Sequence, residues 1–178
     1  MYRERGFDQT TTAEIAARAG VNERTYFRHF PDKREVLFDG EVDLRAALVQ
    51  AIVEAPEELE PFEVLLRAFL ESAERLENNR SFSEPRWKII AATPALRERE
   101  LAKHARLADA VSEALHQRGV GAGVAGLAAR TGWAAYQHAV QAWIGAPEQD
   151  LGTHLLRAFE GLRDLSAAVP GEQAASSL

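Results

Sequence analysis

Between positions 22 and 33, Asn22, Glu23, Arg24, Thr25, Tyr26, His29 and Lys33 bring together an amide, a carboxylate, a guanidinium, hydroxyls, an imidazole and an ammonium. Such a mixture suits the reading of nucleic acid. A guanidinium can fork onto guanine O6 and N7 in the major groove, while hydroxyls and cations take phosphates. Arg24 is the foremost candidate for a base edge, with Asn22 and Glu23 beside it; the candidate phosphate contacts are Thr11, with Thr12 adjoining, and Thr25, Tyr26, His29 and Lys33. Catalytic patterns are scarce by comparison. The chain has no G-x-S-x-G, no H-E-x-x-H and no phosphate-cradling glycine loop. One E-x-x-H, Glu113 to His116, is half of the carboxylate-bridged di-iron arrangement of helical bundles, and no second copy accompanies it. An all-helical metalloenzyme is therefore the weakest of three readings. A helical protein-interaction module without DNA binding is the second, and no catalytic residue, metal or cofactor is assigned.

The elements that must position these groups lie in residues 10–38, TTTAEIAARAGVNERTYFRHFPDKREVLF. Ile15, Ala16 and Ala19 recur at helical spacing, Thr11 precedes them as a cap, and Glu14 sits near the positive N-terminal end. Gly20 supplies the left-handed backbone of a sharp turn, Val21 is expected to plug the angle between the helices, and Asn22 caps a second helix closed by Pro31. Phe27 and Phe30 are expected to point back toward Ile15, leaving Glu23, Arg24, Thr25, Tyr26, Arg28 and His29 outward. Lys33 is expected at the start of the next helix. The whole is a helix-turn-helix whose second helix has the width of a major groove.

The run G6-F7-x-x-T10-T11-x-x-x-I15-A16-x-x-A19-G20-V21-N22-x-x-T25-x-F27-x-H29-F30-P31-x-K33 resembles the DNA-binding domain of TetR-type (AcrR-like) transcriptional regulators. In the commonest form of that family a glycine precedes the threonine and a tyrosine follows it by two; here those places hold Arg24 and Phe27, an RTYF-type recognition helix in which Tyr26 is the candidate replacement for the missing hydroxyl. The resemblance implies a further helix and basic arm ahead of Gly6, with Met1 and Tyr2 matching that helix's end, so an in-frame upstream extension rich in Arg and Lys is expected. It also implies an all-α protein that binds palindromic operator DNA as a homodimer, most often a repressor, and releases it on binding a small effector.

Charge is distributed in keeping with this. The net charge is −6, yet residues 1–34 hold seven Arg or Lys against five Asp or Glu, leaving a basic head on an acidic body. With no cysteine, disulfides and thiolate metal sites are excluded. Neither a signal peptide nor an apolar run of membrane-spanning length is present, so a soluble, cytoplasmic protein without a membrane partner is expected.

Three parts are expected: a head over 1–38, a helical effector-binding and dimerisation body over 39–168, and a flexible tail over 169–178. Val36, Leu37, Leu44, Leu48 and Ile52 predict one long connecting helix from about 36 to 55, and further helices follow Pro61, around Trp87 to Ala91, after Pro94, from about Val124 to Trp143, and from about Leu151 to Leu165. Phe62, Leu66, Phe69, Leu70, Trp87, Ile90, His104, Leu107, Trp133 and Gln137 are the candidate lining of a mostly apolar effector cavity, with Tyr136 and His138 as further polar contacts. The segment ATPALRERELAKHARLADAV resembles the matching helix of family members thought to sense acyl or acyl-CoA molecules. Arg80, Arg86, Lys88, Arg97 and Arg99 are candidates for holding such a ligand's phosphates. The small-residue stripe containing Ala129, Tyr136 and Trp143, and the stripe containing Leu155, Phe159 and Leu162, are the candidate dimer interface.

Overall fold

Capping chemistry rather than length makes the first two helices. Each has only seven residues, too few to hold alone in water. Helix α1 (Thr12–Arg18) begins with a reciprocal box: the Glu14 amide donates to Thr11 Oγ1 at 3.2 Å, and the Thr11 amide donates to Glu14 Oε2 at 2.9 Å. Helix α2 (Glu23–His29) starts at Asn22, whose Oδ1 accepts from the Thr25 amide at 2.8 Å. Gly20, at φ +70°, makes the turn between them. Phe30 is the C-cap, so α2 stops one residue ahead of Pro31.

The computed structural model describes residues 6–146 and 148–167; the expected tail and the match of Met1 and Tyr2 lie outside them. Among the described residues the fold is all-α. After a 3₁₀ turn (Glu35–Leu37) come α3 (Glu41–Val53), α4 (Pro61–Asn78), α5 (Arg80–Ala92), α6 (Pro94–Gln117), α7 (Ala122–Gly145) and α8 (Leu151–Ala167). No helix among the described residues is long and apolar enough to cross a membrane. The single connecting helix expected over 36–55 is broken. Gly40 takes φ +92° between the 3₁₀ turn and Glu41, a conformation that ends helical hydrogen bonding even though the apolar spacing runs on. Helix α5 is longer than the expected Trp87–Ala91 because it takes in Pro85 in its second turn.

The chain divides into two compact units, Met1–Ala47 with Asn78–Leu107, and Leu48–Glu77 with Ala108–Leu178. The first is centred on Phe7, Leu37, Phe38, Ile90 and Leu96, with Ile89 packed against them. In the second, Phe69 lies 4.9 Å from Tyr136 and 5.9 Å from Trp133 by ring centroids, and Phe62 lies 4.8 Å from Phe159. There too, Arg118 donates to the carbonyls of Ile52, Val53, Ala55 and Pro56 at 2.6 to 3.4 Å, closing the end of α3.

Helices α4 and α7 touch through a glycine. A Cβ at Gly132 would stand 2.9 Å from Leu65 Cδ1 and 3.4 Å from Phe69 Cε2. Gly132→Val is expected to destabilise by about 1–3 kcal/mol through overpacking, read as a fall in Tm of about 2–4 °C per kcal/mol. Gly132→Ala is expected to cost less, since the leucine methyl can turn aside; equal Tm values for Gly132→Val and the parent would contradict the close approach.

The expected dimer stripe is turned inward. Ala129, Tyr136, Trp143, Leu155 and Phe159 are buried within one chain and Leu162 is half-buried. Helix α7 is apolar around most of its circumference, so periodicity alone does not choose which stripe serves its own core. Leu127, at 70 % exposed, lies on the outer side of α7, and Leu156 is exposed on α8.

Candidate nucleic-acid interface

The aromatic pair on α2 is arranged in the reverse of the expected order. Tyr26 is 3 % exposed and Phe27 is 49 % exposed. The Tyr26 hydroxyl donates to the Asp32 carbonyl at 3.2 Å, and its ring meets Phe27 edge-on at 5.3 Å and Phe30 at 5.6 Å. Burial, with the Asp32 charge, raises the pKa of this phenol, so it remains a neutral donor. Tyr26 is therefore the keel of the helix and not a phosphate contact. With one residue advancing the helix by about 100°, an inward Tyr26 turns Arg24, Phe27 and Arg28 outward, where all three are exposed; Glu23, in the first turn, is exposed as well. His29 is also exposed, 3.5 Å from Arg28. Val21, expected as a plug, is exposed as well.

Lys33 is likewise not where a phosphate contact would be. It precedes the 3₁₀ turn, and its Nζ donates to the carbonyls of Phe7, Asp8 and Thr10 at 2.9, 3.2 and 3.2 Å, 4.5 Å above the Phe7 ring. The ammonium thus closes the loop leading into α1. Lys33→Met is expected to destabilise the head by about 2 kcal/mol through lost charge-assisted hydrogen bonds, while leaving the salt dependence of DNA binding unchanged. A salt slope reduced by about one in the variant would instead put Lys33 on a phosphate. The hydroxyl of Thr11 and the Oδ1 of Asn22 are occupied as caps, and Thr12 and Thr25 are half-buried in first turns.

The first unit also carries a charged brace, around the segment from Glu35 to Glu41, that the spacing of residues did not reveal. Three cations surround the Phe38 ring: Arg99 at 4.6 Å, Arg86 at 5.2 Å and Lys103 at 5.8 Å. Arg86 donates to the Leu37 carbonyl and, at 2.9 Å, to Glu100. Lys103 donates to Glu100 at 2.8 Å, and His104 Nε2 lies 3.2 Å from the same carboxylate, which is 6 % exposed. Arg99 forks onto Glu35 at 2.8 and 2.9 Å and reaches Glu41 at 3.0 Å, which Arg106 also binds. Burial opposes ionisation of Glu100, yet His104, Lys103 and Arg86 together hold its carboxyl well below the usual carboxylate range. Burial, helped by the Arg86 charge, pushes the Lys103 ammonium down to about 8. The i, i+3, i+4 spacing of Glu100, Lys103 and His104 was a visible signal; Arg86, from another helix, was not.

The expected effector residues fall in different units. Phe62, Leu66, Phe69, Leu70, Trp133 and Gln137 belong to the second, where Phe69, Trp133 and Tyr136 form one aromatic cluster. The Tyr136 hydroxyl there is buried beside Ser72, whose Oγ donates to the Phe69 carbonyl at 2.8 Å. Trp87, Ile90, His104 and Leu107 belong to the first unit, with Ile90 in its core and His104 at Glu100. A cleft of about 580 Å³ in that unit is lined by Phe7, Glu84, Pro85, Lys88, Ile89 and Thr93 among others; Lys88 is one of the expected phosphate-holding cations, and none of the expected apolar lining residues is there. Arg86, Arg99 and Lys88, expected to hold phosphates, have carboxylate partners. His116 Nδ1 lies 3.0 Å from the Val120 carbonyl and Glu113 accepts from Gln117.

Comparison with known proteins agrees with the helix-turn-helix. Residues 1–39 match the family model for bacterial regulatory proteins, tetR family, and residues 59–167 match that for the MftR C-terminal domain. FadR of Thermus thermophilus, a TetR family transcriptional repressor solved in complex with lauroyl-CoA, is 27 % identical, with a TM-score of 0.62 over 99 % of this chain and 94 % of that one. SmeT, repressor of the SmeDEF multidrug efflux pump of Stenotrophomonas maltophilia, is 22 % identical with a TM-score of 0.62 over 93 % and 83 %, and its complex with triclosan gives 0.66 over 99 % and 92 % at the same identity. No curated protein matches the chain.

Proposed function

The chain belongs to the tetR family of bacterial regulatory proteins, and from that premise we propose that it is an effector-released repressor, binding palindromic operator DNA as a homodimer. The observation that carries this reading is the outward face of α2, where Arg24, Phe27 and Arg28 stand clear of the Tyr26 keel. Arg24 forks onto guanine, with Asn22 and Glu23 at its flank; His29 and Arg28 meet the backbone, and Thr11, Thr12 and Thr25 adjoin it through the first turns of α1 and α2. Pairing of two chains through Leu127, Ala134, His138 and Gln141 on α7 and Leu156 on α8 is supported by the exposure of that face, while the residues first expected there serve the core.

The effector is a small, mostly apolar molecule of acyl or acyl-CoA type. Support comes from the lauroyl-CoA held by the Thermus repressor, and from the buried aromatic cluster of Phe69, Trp133 and Tyr136, which is mostly apolar with one hydroxyl. Binding shifts the population away from the DNA-competent state. The route to the head is the brace, since Arg99 on α6 binds Glu35 and Glu41, and Glu100 holds the Arg86 that donates to the Leu37 carbonyl. Coupling of about 1–3 kcal/mol, or roughly ten- to hundredfold in affinity, is ordinary for such linkage.

Binding to the DNA ahead of the chain's own gene, measured across a salt series, tests this. Sequence-specific binding that weakens steeply with salt, and that loses about 1–3 kcal/mol of discrimination in Arg24→Ala, is expected. Lauroyl-CoA is expected to weaken it about tenfold or more. Equal, weak binding to every duplex would replace this reading with that of an interaction module.

A further inference from the structure

Phe27 is a large apolar side chain left half in water on the helix that carries Arg24 and Arg28. Spacings of three and four residues put Arg24, Phe27 and Arg28 on one face. The Phe27 ring is not loose, because it leans edge-on against Tyr26 at 86°, and Tyr26 is itself pinned by burial and by its bond to Asp32. A rigid ring costs little entropy to bind with. It has no donor and no acceptor, so phosphate oxygens, guanine O6 and N7, adenine N6 and N7, and cytosine N4 offer it nothing. In the major groove the apolar feature of a base edge is the C5-methyl of thymine.

Resting on the DNA-reading role proposed above, we propose that Phe27 is a specificity-determining residue that packs on a thymine methyl next to the guanine read by Arg24. Three residues of helix rise by about 4.5 Å, against about 3.4 Å between stacked bases, so the two contacts fall on neighbouring base pairs. The half-site therefore contains a guanine and a thymine in adjacent steps. Without the phenolic hydroxyl found at this place in the common family pattern, the position reads a base and does not anchor the backbone.

The test uses duplexes that the full chain selects from a random pool, in which each thymine is replaced in turn by deoxyuridine, removing one methyl and nothing else. Loss of one methyl contact is expected to weaken binding about fourfold to tenfold at a single position per half-site. Phe27→Ala is expected to be indifferent to that replacement, and Phe27→Leu, which keeps an apolar surface, to recover part of the sensitivity. The leucine variant also serves if the alanine variant folds poorly. Sequence discrimination that persists while uridine is tolerated everywhere would overturn the role of Phe27 and leave the regulator standing. Absence of any selected sequence would overturn the DNA-reading role itself.

Discussion

Glu100→Ala is expected to destabilise the protein by about 3–5 kcal/mol, because it leaves Arg86 and Lys103 in a buried site without their counter-charge. In a chain of this size that corresponds to a fall in Tm of about 6–20 °C. Replacing the pair, as Glu100→Leu with Lys103→Met, is expected to recover part of the loss, since apolar groups of similar volume need no partner. A loss below about 1 kcal/mol in Glu100→Ala, the range of exposed pairs, would mean that water reaches the hub. The pH dependence follows from the same groups. The depressed Glu100 carboxyl contributes stability that is complete above the ordinary carboxylate range and is lost as pH falls through its folded value. Lys103 acts in the opposite region: between about 8 and its ordinary 10.5 the unfolded chain holds the extra proton, so stability rises with pH across that window. Denaturant titrations of Lys103→Met are expected to show no such rise.

Arg118→Ala is expected to have the next largest effect, about 2–4 kcal/mol, because four carbonyls from Ile52 to Pro56 lose a charged donor at once. A cation also meets the negative end of the helix dipole there. Arg118→Lys is expected to restore less than half, since an ammonium cannot fork across both sides of the α3 terminus. Hydrogen exchange in the last turn of α3 would quicken in both variants. Full stability in Arg118→Lys would show that charge alone, and not the fork, closes this end.

The parts of the fold legible in the sequence are those specified by near neighbours. Thr11 with Glu14, Asn22 with Thr25, and Gly20 act over three residues or fewer, so the helix-turn-helix could be read from them directly. The phase of α2 could not. Tyr26 and Phe27 are adjacent aromatics, and choosing between them rotates every contact by about 100°; the deciding bond, from Tyr26 to the Asp32 carbonyl, involves a backbone atom that sequence does not display. Gly40 was hidden by apolar residues that keep helical spacing on both sides of it. Lys33 looked like a surface cation because the three carbonyls it serves have no side-chain signature. Along α7, Ala129, Tyr136 and Trp143 mark a real stripe, but a helix apolar on nearly every side gives no means of telling an internal seam from an external one.

The unit that contains the reading helix is discontinuous, joining Met1–Ala47 to Asn78–Leu107. Phe38 emerges from a ribosome long before Arg86, Arg99 and Lys103, which surround it. At roughly 5–20 residues per second, the nascent head waits several seconds with that ring uncovered. A chimaera that grafts only the first forty-seven residues onto another regulator's body inherits the same exposure permanently. A graft of this chain's head therefore has to carry the α5 and α6 residues of the brace along with it.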